Sequence, residues 1–137
     1  MQKRQKDAGV TLLEVLVVVA IIAMIATLAT PRLMESFGRA KSQSAIVEIQ
    51  NVKTAIQLYR LDTGGLPTQA DGLGALLAAP VSVENWQGPY LDEEDLKDPW
   101  GREWIYRQPG EDDLFDLLSY GNDGQSGGTN EDSDISI

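Results

Sequence analysis

The sequence predicts an α+β chain in which a long N-terminal helix packs its later half on a small antiparallel β-sheet. Three observations carry that expectation. An apolar stretch near the N-terminus approaches the length of a bilayer span. An apolar stripe at helical spacing follows it. Short strand-like segments bounded by turn residues occupy the second half. With 137 residues, the chain has room for one domain and a short appendage.

The charge is divided along the chain. Residues 1–41 carry Lys3, Arg4, Lys6, Arg32, Arg39 and Lys41 against Asp7, Glu14 and Glu35, a net +3. The remaining five basic and eighteen acidic groups give residues 42–137 a net −13. A basic head and an acidic body suit a chain that meets a membrane at one end and water at the other. The overall −10 argues against nucleic acid as a partner, since little is present to neutralise phosphates. There is no Cys and no His. Disulfides, thiol nucleophiles and imidazole bases are thereby excluded, and most familiar hydrolase chemistry with them.

Residues 12–29 are apolar except for Glu14 and Thr27. As a helix they rise about 27 Å, close to the ~30 Å hydrocarbon core. Lys3, Arg4 and Lys6 precede them, which orients the head to the cytoplasm and the acidic body outward. A cleaved secretory signal has the same basic and apolar regions, but the small-residue cleavage pattern is poor around Leu28-Ala29-Thr30-Pro31. A plain membrane anchor is a second option. Neither explains Glu14, since a carboxylate in hydrocarbon costs about 2.5–3.5 kcal/mol on insertion scales.

Gly9-Val10-Thr11-Leu12-Leu13-Glu14 resembles the type IV prepilin signal, a short basic leader ending in Gly with Glu at the fifth residue beyond it. Val10 stands where that family usually has Phe. The resemblance implies that a prepilin peptidase removes residues 1–9 by cutting between Gly9 and Val10 and methylates the new amine. It implies that residues 10–30 remain as a transmembrane and assembly helix, and that Glu14 pairs with the amine of a neighbouring subunit. A buried carboxylate is tolerable once it meets an opposite charge in the same low dielectric. Pro31, twenty-one residues after Val10, sits where pilin-like helices commonly carry a proline.

Pro31 is expected to kink or weaken the helix by removing a backbone donor. The pattern resumes beyond it: Ala45, Ile49, Val52, Ile56 and Tyr59 form one apolar stripe. A coiled coil is the weaker alternative, as the repeat covers barely two heptads. Asp62-Thr63-Gly64-Gly65 should end the helix, with Pro67 beyond. Leu73, Leu76 and Leu77 predict a short helix stopped by Pro80. Residues 86–90 read as loop. The run Asp92-Glu93-Glu94-Asp95 reads as a solvated acidic face. Residues 104–107 and 114–120 have strand composition, with Gln108-Pro109-Gly110 as the turn between them. A hairpin or three-stranded antiparallel sheet follows.

Leu66-Pro67-Thr68 with Asp71-Gly72-Leu73-Gly74-Ala75-Leu76, and Gly88-Pro89-Tyr90-Leu91 with Lys97-Asp98-Pro99-Trp100-Gly101, resemble blocks of the major pseudopilin family of type II secretion. Pro109-Gly110 and Asp116-Leu117 continue the series in order. Leu66 replaces an aromatic residue of that family and Asp71 a usual Gln. The resemblance implies a type IV pilin-like fold, with residues 31–137 as a periplasmic domain.

Eight carboxylates and no cation lie from Glu111 onward. Composition alone leaves two readings of this tail: a disordered solvated end, or an ion site. Asp132 and Asp134 alternate around Ser133 before Ile135, as in an ordered extended segment. Asp123 lies in the glycine-bounded turn Tyr120-Gly121-Asn122-Asp123-Gly124. Converging carboxylates and carbonyls suit calcium, while the EF-hand spacing is absent. Transition metals are disfavoured without His or Cys. The tail also resembles the pseudopilin pattern in which calcium holds the C-terminal loop. Carried over by position, Asp123, Asp132 and Asp134 are side-chain ligands, Tyr120 offers its carbonyl, and Ser133 contributes.

The resemblance implies a non-enzymatic role as the major subunit of a helical homo-oligomeric fibre that drives folded proteins through an outer-membrane secretin. Its implied partners are minor pseudopilins, an inner-membrane assembly platform and the prepilin peptidase. The implied location is the inner membrane, single-pass, with the C-terminal domain in the periplasm. A type IV pilin for adhesion or motility is the alternative. Such pilins typically close their C-terminal region with a disulfide, which this chain cannot form. A membrane-anchored hydrolase using paired carboxylates is a remote third.

Overall fold

The computed structural model describes residues 10–137. The leader expected over residues 1–9, including Gly9, lies outside the described residues. Helix α1 runs from Leu12 to Thr63, 52 residues in all. Thr11 caps its start: the Thr11 hydroxyl oxygen accepts the Glu14 N–H at 3.2 Å. This satisfies one of the helix's unpaired N-terminal donors, as in half of a capping box. The other end stops where the sequence places the stop. Gly64 has φ of 79° and donates its N–H to the Arg60 carbonyl at 2.9 Å, a left-handed closure that glycine adopts without a side-chain clash. Pro31 lies inside α1 without interrupting it. The expected weakening therefore does not divide the helix.

The chain forms two compact units, one ending at Phe37 and the other spanning Gly38–Ile137. In the first, every described residue is exposed. Leu12 is 83% exposed and Leu28 71%. An apolar helix bare along its whole described length suits lipid or neighbouring subunits, not a core of its own.

In the second unit, Ala45, Ile49, Val52, Ile56 and Tyr59 are all buried, joined by Gly38 and Ala55 on the same helix. The stripe is therefore a core face. It clusters with Leu73, Ala75, Leu76, Trp104, Tyr106 and Leu117. Burying each large apolar side chain contributes about 1.5–3 kcal/mol.

The sheet has three antiparallel strands in the order β1 (Ile105–Arg107), β2 (Asp116–Ser119) and β3 (Ile135–Ser136). Tyr106 faces Leu117 across the β1–β2 pair, and both are buried. The Tyr106 hydroxyl donates to the Pro67 carbonyl at 2.9 Å. The free edge of β1 is occupied by a side chain. Gln69 donates from Nε2 to the Tyr106 carbonyl at 3.2 Å and accepts the Gln108 N–H at 2.7 Å. An edge satisfied in this way is a poor template for unwanted strand pairing.

Two short elements between α1 and β1 are 3-10 helices. The segment around Leu73 is a 3-10 helix over Gly72–Leu76, ending before Leu77 and well short of Pro80. Leu73 and Leu76 are buried as the spacing implies. The acidic run contributes to a second 3-10 helix, Glu93–Leu96, whose start is tied by the Asp92 N–H donating to the Asp95 carboxylate at 3.1 Å. All four acids of the run are exposed, in agreement with a solvated face.

Candidate functional site

The N-terminal candidates are placed in part. Val10 is 70% exposed and lies two residues ahead of α1. Glu14 occupies the first turn of α1, where a carboxylate favours the helix dipole. Glu14 is exposed. Its backbone is engaged by Thr11, but among the described residues no ion pair or hydrogen bond engages its carboxylate.

The C-terminal candidates lie on two loops that touch. β2 ends at Ser119 and leads into the Tyr120-Gly121-Asn122-Asp123-Gly124 turn; residues 131–134 return to begin β3. The Asn122 N–H donates to the Glu131 carbonyl at 2.8 Å. A Cβ on Gly121 would lie 2.6 Å from the Glu131 carbonyl oxygen and 2.8 Å from that of Ser133. Gly121 also has φ of 63°, so both conformation and space require glycine there. Glu131 reaches the helix as well, its side chain lying against the buried Gly38.

Each predicted carboxylate has a local donor. Asp123 accepts the Gln125 N–H at 2.9 Å. Asp132 accepts the Asn122 amide at 3.1 Å. Asp134 accepts the Gly127 N–H at 3.0 Å on both oxygens, and the Ser126 hydroxyl at 3.4 Å. No group of three such side chains poised to hold a metal is found among the described residues. Fold-back of the turn onto the tail is thus present, whereas a converged trio of carboxylates is not. The donors fit a hard cation: carboxylates and carbonyl oxygens on two adjoining loops, without nitrogen or sulfur ligands.

A polar network beneath the turn was not legible as a site in the sequence. The buried Asp98 accepts the N–H groups of Trp100 and Arg102 on Oδ1, at 3.0 and 2.9 Å. Its Oδ2 accepts the Ser119 hydroxyl at 2.5 Å. Ser119 in turn accepts the Gly121 N–H at 3.2 Å. The Arg102 guanidinium donates to the carbonyls of Gly121 and Asn122, each at 2.8 Å. The available signal was a cation following the turn glycine Gly101 in a strongly acidic half-chain. Its target, twenty residues on, had no marker.

Comparison with known proteins agrees with this architecture. The family model described as type II secretion system protein G matches residues 32–137, and the prokaryotic N-terminal methylation motif matches residues 4–30. A type II secretion system core protein G of Xanthomonas campestris is 39% identical over 132 residues, covering 96% of this chain and 90% of that protein. Its counterpart in Vibrio cholerae is 38% identical, covering 98% and 94%. The crystal structure of the major pseudopilin from the type 2 secretion system of enterohaemorrhagic Escherichia coli is similar with a TM-score of 0.62. It is 28% identical, over 77% of this chain and 93% of that one.

Proposed function

Since the chain belongs to the type II secretion system protein G family, we propose that it is the major structural subunit of a periplasmic pseudopilus that drives export of folded proteins through an outer-membrane secretin. The observation that carries this is the first unit: an apolar helix exposed along its whole described length, interrupted near its start by the carboxylate of Glu14. An anchor needs the apolar surface but not the carboxylate. An assembly helix uses both, because the carboxylate can meet the amine of another subunit's Val10 when helices bundle. The family match and the pseudopilin neighbour favour this over a pilin for adhesion or motility. They also favour a structural role over carboxylate hydrolysis.

In this proposal a prepilin peptidase cuts between Gly9 and Val10, and the helix over residues 10–30 holds the chain in the inner membrane. The acidic domain faces the periplasm. An assembly platform then extracts subunits into a helical homo-oligomer together with minor pseudopilins. Calcium is the proposed ion of the C-terminal loop, held by Asp123, Asp132 and Asp134 with the Tyr120 carbonyl and Ser133. When bound, it supplies positive charge that offsets carboxylate repulsion. The contact between the two loops through Asn122, Gly121 and Glu131 supports the assignment.

The test is complementation of a strain lacking this gene. Wild-type chain should restore export of a folded substrate. Glu14→Ala should be processed and reside in the inner membrane, yet restore neither export nor fibres. Full export by Glu14→Ala would remove the proposed role of that carboxylate. No export defect on deletion would remove the function itself.

A further inference from the structure

We propose that Arg102 is a positioning residue for the ion-binding turn: its guanidinium clamps the Gly121 and Asn122 carbonyls and so holds the backbone that carries the Tyr120 carbonyl and the Asp123 carboxylate. The proposal rests on the calcium reading of the loop. Three features of the structure support it independently of any ion.

The first is the clamp itself, two hydrogen bonds of 2.8 Å from separate guanidinium nitrogens to successive carbonyls. Charged donors in a planar fork hold such a pair more firmly than a neutral side chain can. The second is the space the clamp occupies. A Cβ on Gly124 would lie 2.8 Å from Arg102 Nε, and Gly124 has φ of 70°. The turn thus lacks a side chain where the guanidinium crosses it. The third is the anchoring of both partners on one buried carboxylate. Asp98 accepts the Arg102 N–H directly and holds Gly121 through Ser119.

Two effects of Arg102 on a bound cation oppose each other. A fixed positive charge repels calcium, whereas a turn already held in place loses less freedom when the ion binds. Arg102 is exposed, so water and salt weaken the repulsion, while the clamp acts through direct contact. Organisation therefore outweighs repulsion, and Arg102 raises calcium affinity. Residues that orient metal ligands by hydrogen bonding typically change metal affinity by about 10–100-fold when removed.

The experiment is calorimetric titration of the full processed chain in detergent with calcium chloride, for wild type, Arg102→Gln and Arg102→Lys. Amide exchange at residues 121–123 and at residues 49–59 of α1 is followed without calcium. Arg102→Gln should bind on the order of tenfold more weakly and exchange faster at residues 121–123. Exchange in α1 should be unchanged, showing that the fold is intact. Arg102→Lys, which keeps the charge but not the fork, should fall between the two. Equal or tighter binding by Arg102→Gln overturns the proposal while leaving the calcium site standing. Absence of calcium binding by the wild type overturns the calcium reading and the proposal together.

Discussion

The Asp98 carboxylate accepts the Ser119 hydroxyl at 2.5 Å across 21 residues of sequence, joining the Asp98-Pro99-Trp100-Gly101 turn to the end of β2. Both residues are buried, and the same carboxylate also accepts two backbone N–H groups. Removing it leaves one buried and two part-buried donors unpaired at once. Asp98→Ala should destabilise the domain by about 3 kcal/mol or more, and Ser119→Ala by about 1–3 kcal/mol. A double-mutant cycle by denaturant unfolding should give a coupling of at least about 0.5 kcal/mol. Additive effects would mean that the bond is not a unit of the fold.

Stability should fall in alkali through three tyrosines that the fold buries wholly or in part. Burial is the largest cause raising Tyr59, Tyr90 and Tyr106 above the ordinary phenol value, and Tyr106 is pushed up to about 12. A phenol whose folded value is raised holds its proton more tightly in the native state. Its contribution is fully present below about pH 10, the unfolded value, and is lost as pH rises through about 12. Urea unfolding from pH 9 to 12 should show this decline, with a shallower slope in Tyr106→Phe. At neutral pH that variant should lose about 1–3 kcal/mol, because the Pro67 carbonyl is left unpaired.

Gly121→Ala should damage the loop contact selectively. The added methyl meets the carbonyl oxygens of Glu131 and Ser133 and also disfavours the left-handed backbone. The variant should keep the core of α1 protected from amide exchange while residues 120–134 lose protection. Uniform protection in both regions would contradict this role for Gly121.

Calcium should stabilise the full chain if the loop is its site. Ligands gathered only in the folded state add about 2.7 kcal/mol when calcium is a hundredfold above Kd. Wild type should melt higher in calcium than in chelator, and magnesium should substitute poorly. Asp123→Ala and Asp134→Ala should approach the chelated value. Identical wild-type melts in calcium and chelator would return the tail to a solvated acidic end.

The sequence was most legible where structure is local. The stripe Ala45, Ile49, Val52, Ile56 and Tyr59 follows helical periodicity, and Gly64 ends α1 because a residue without Cβ can turn left-handed there. Tyr106 and Leu117 have the bulky side chains that a half-buried sheet selects. Pro31 removes one backbone donor without ending the helix, and α1 continues through it as one long helix. The Asp98–Ser119–Gly121 chain and the Arg102 clamp were not legible at all. Their partners lie up to 21 residues away, and a buried aspartate has the same letter as a solvated one.

Mass spectrometry of subunits from sheared fibres identifies the N-terminus of the assembled form and so decides whether the apolar helix is retained. The chain should begin at Val10, carry one methyl group on its amine and retain all of α1. A mature chain beginning near Thr30 would overturn the assembly role, since the fibre would then have formed without most of the apolar stretch and without Glu14.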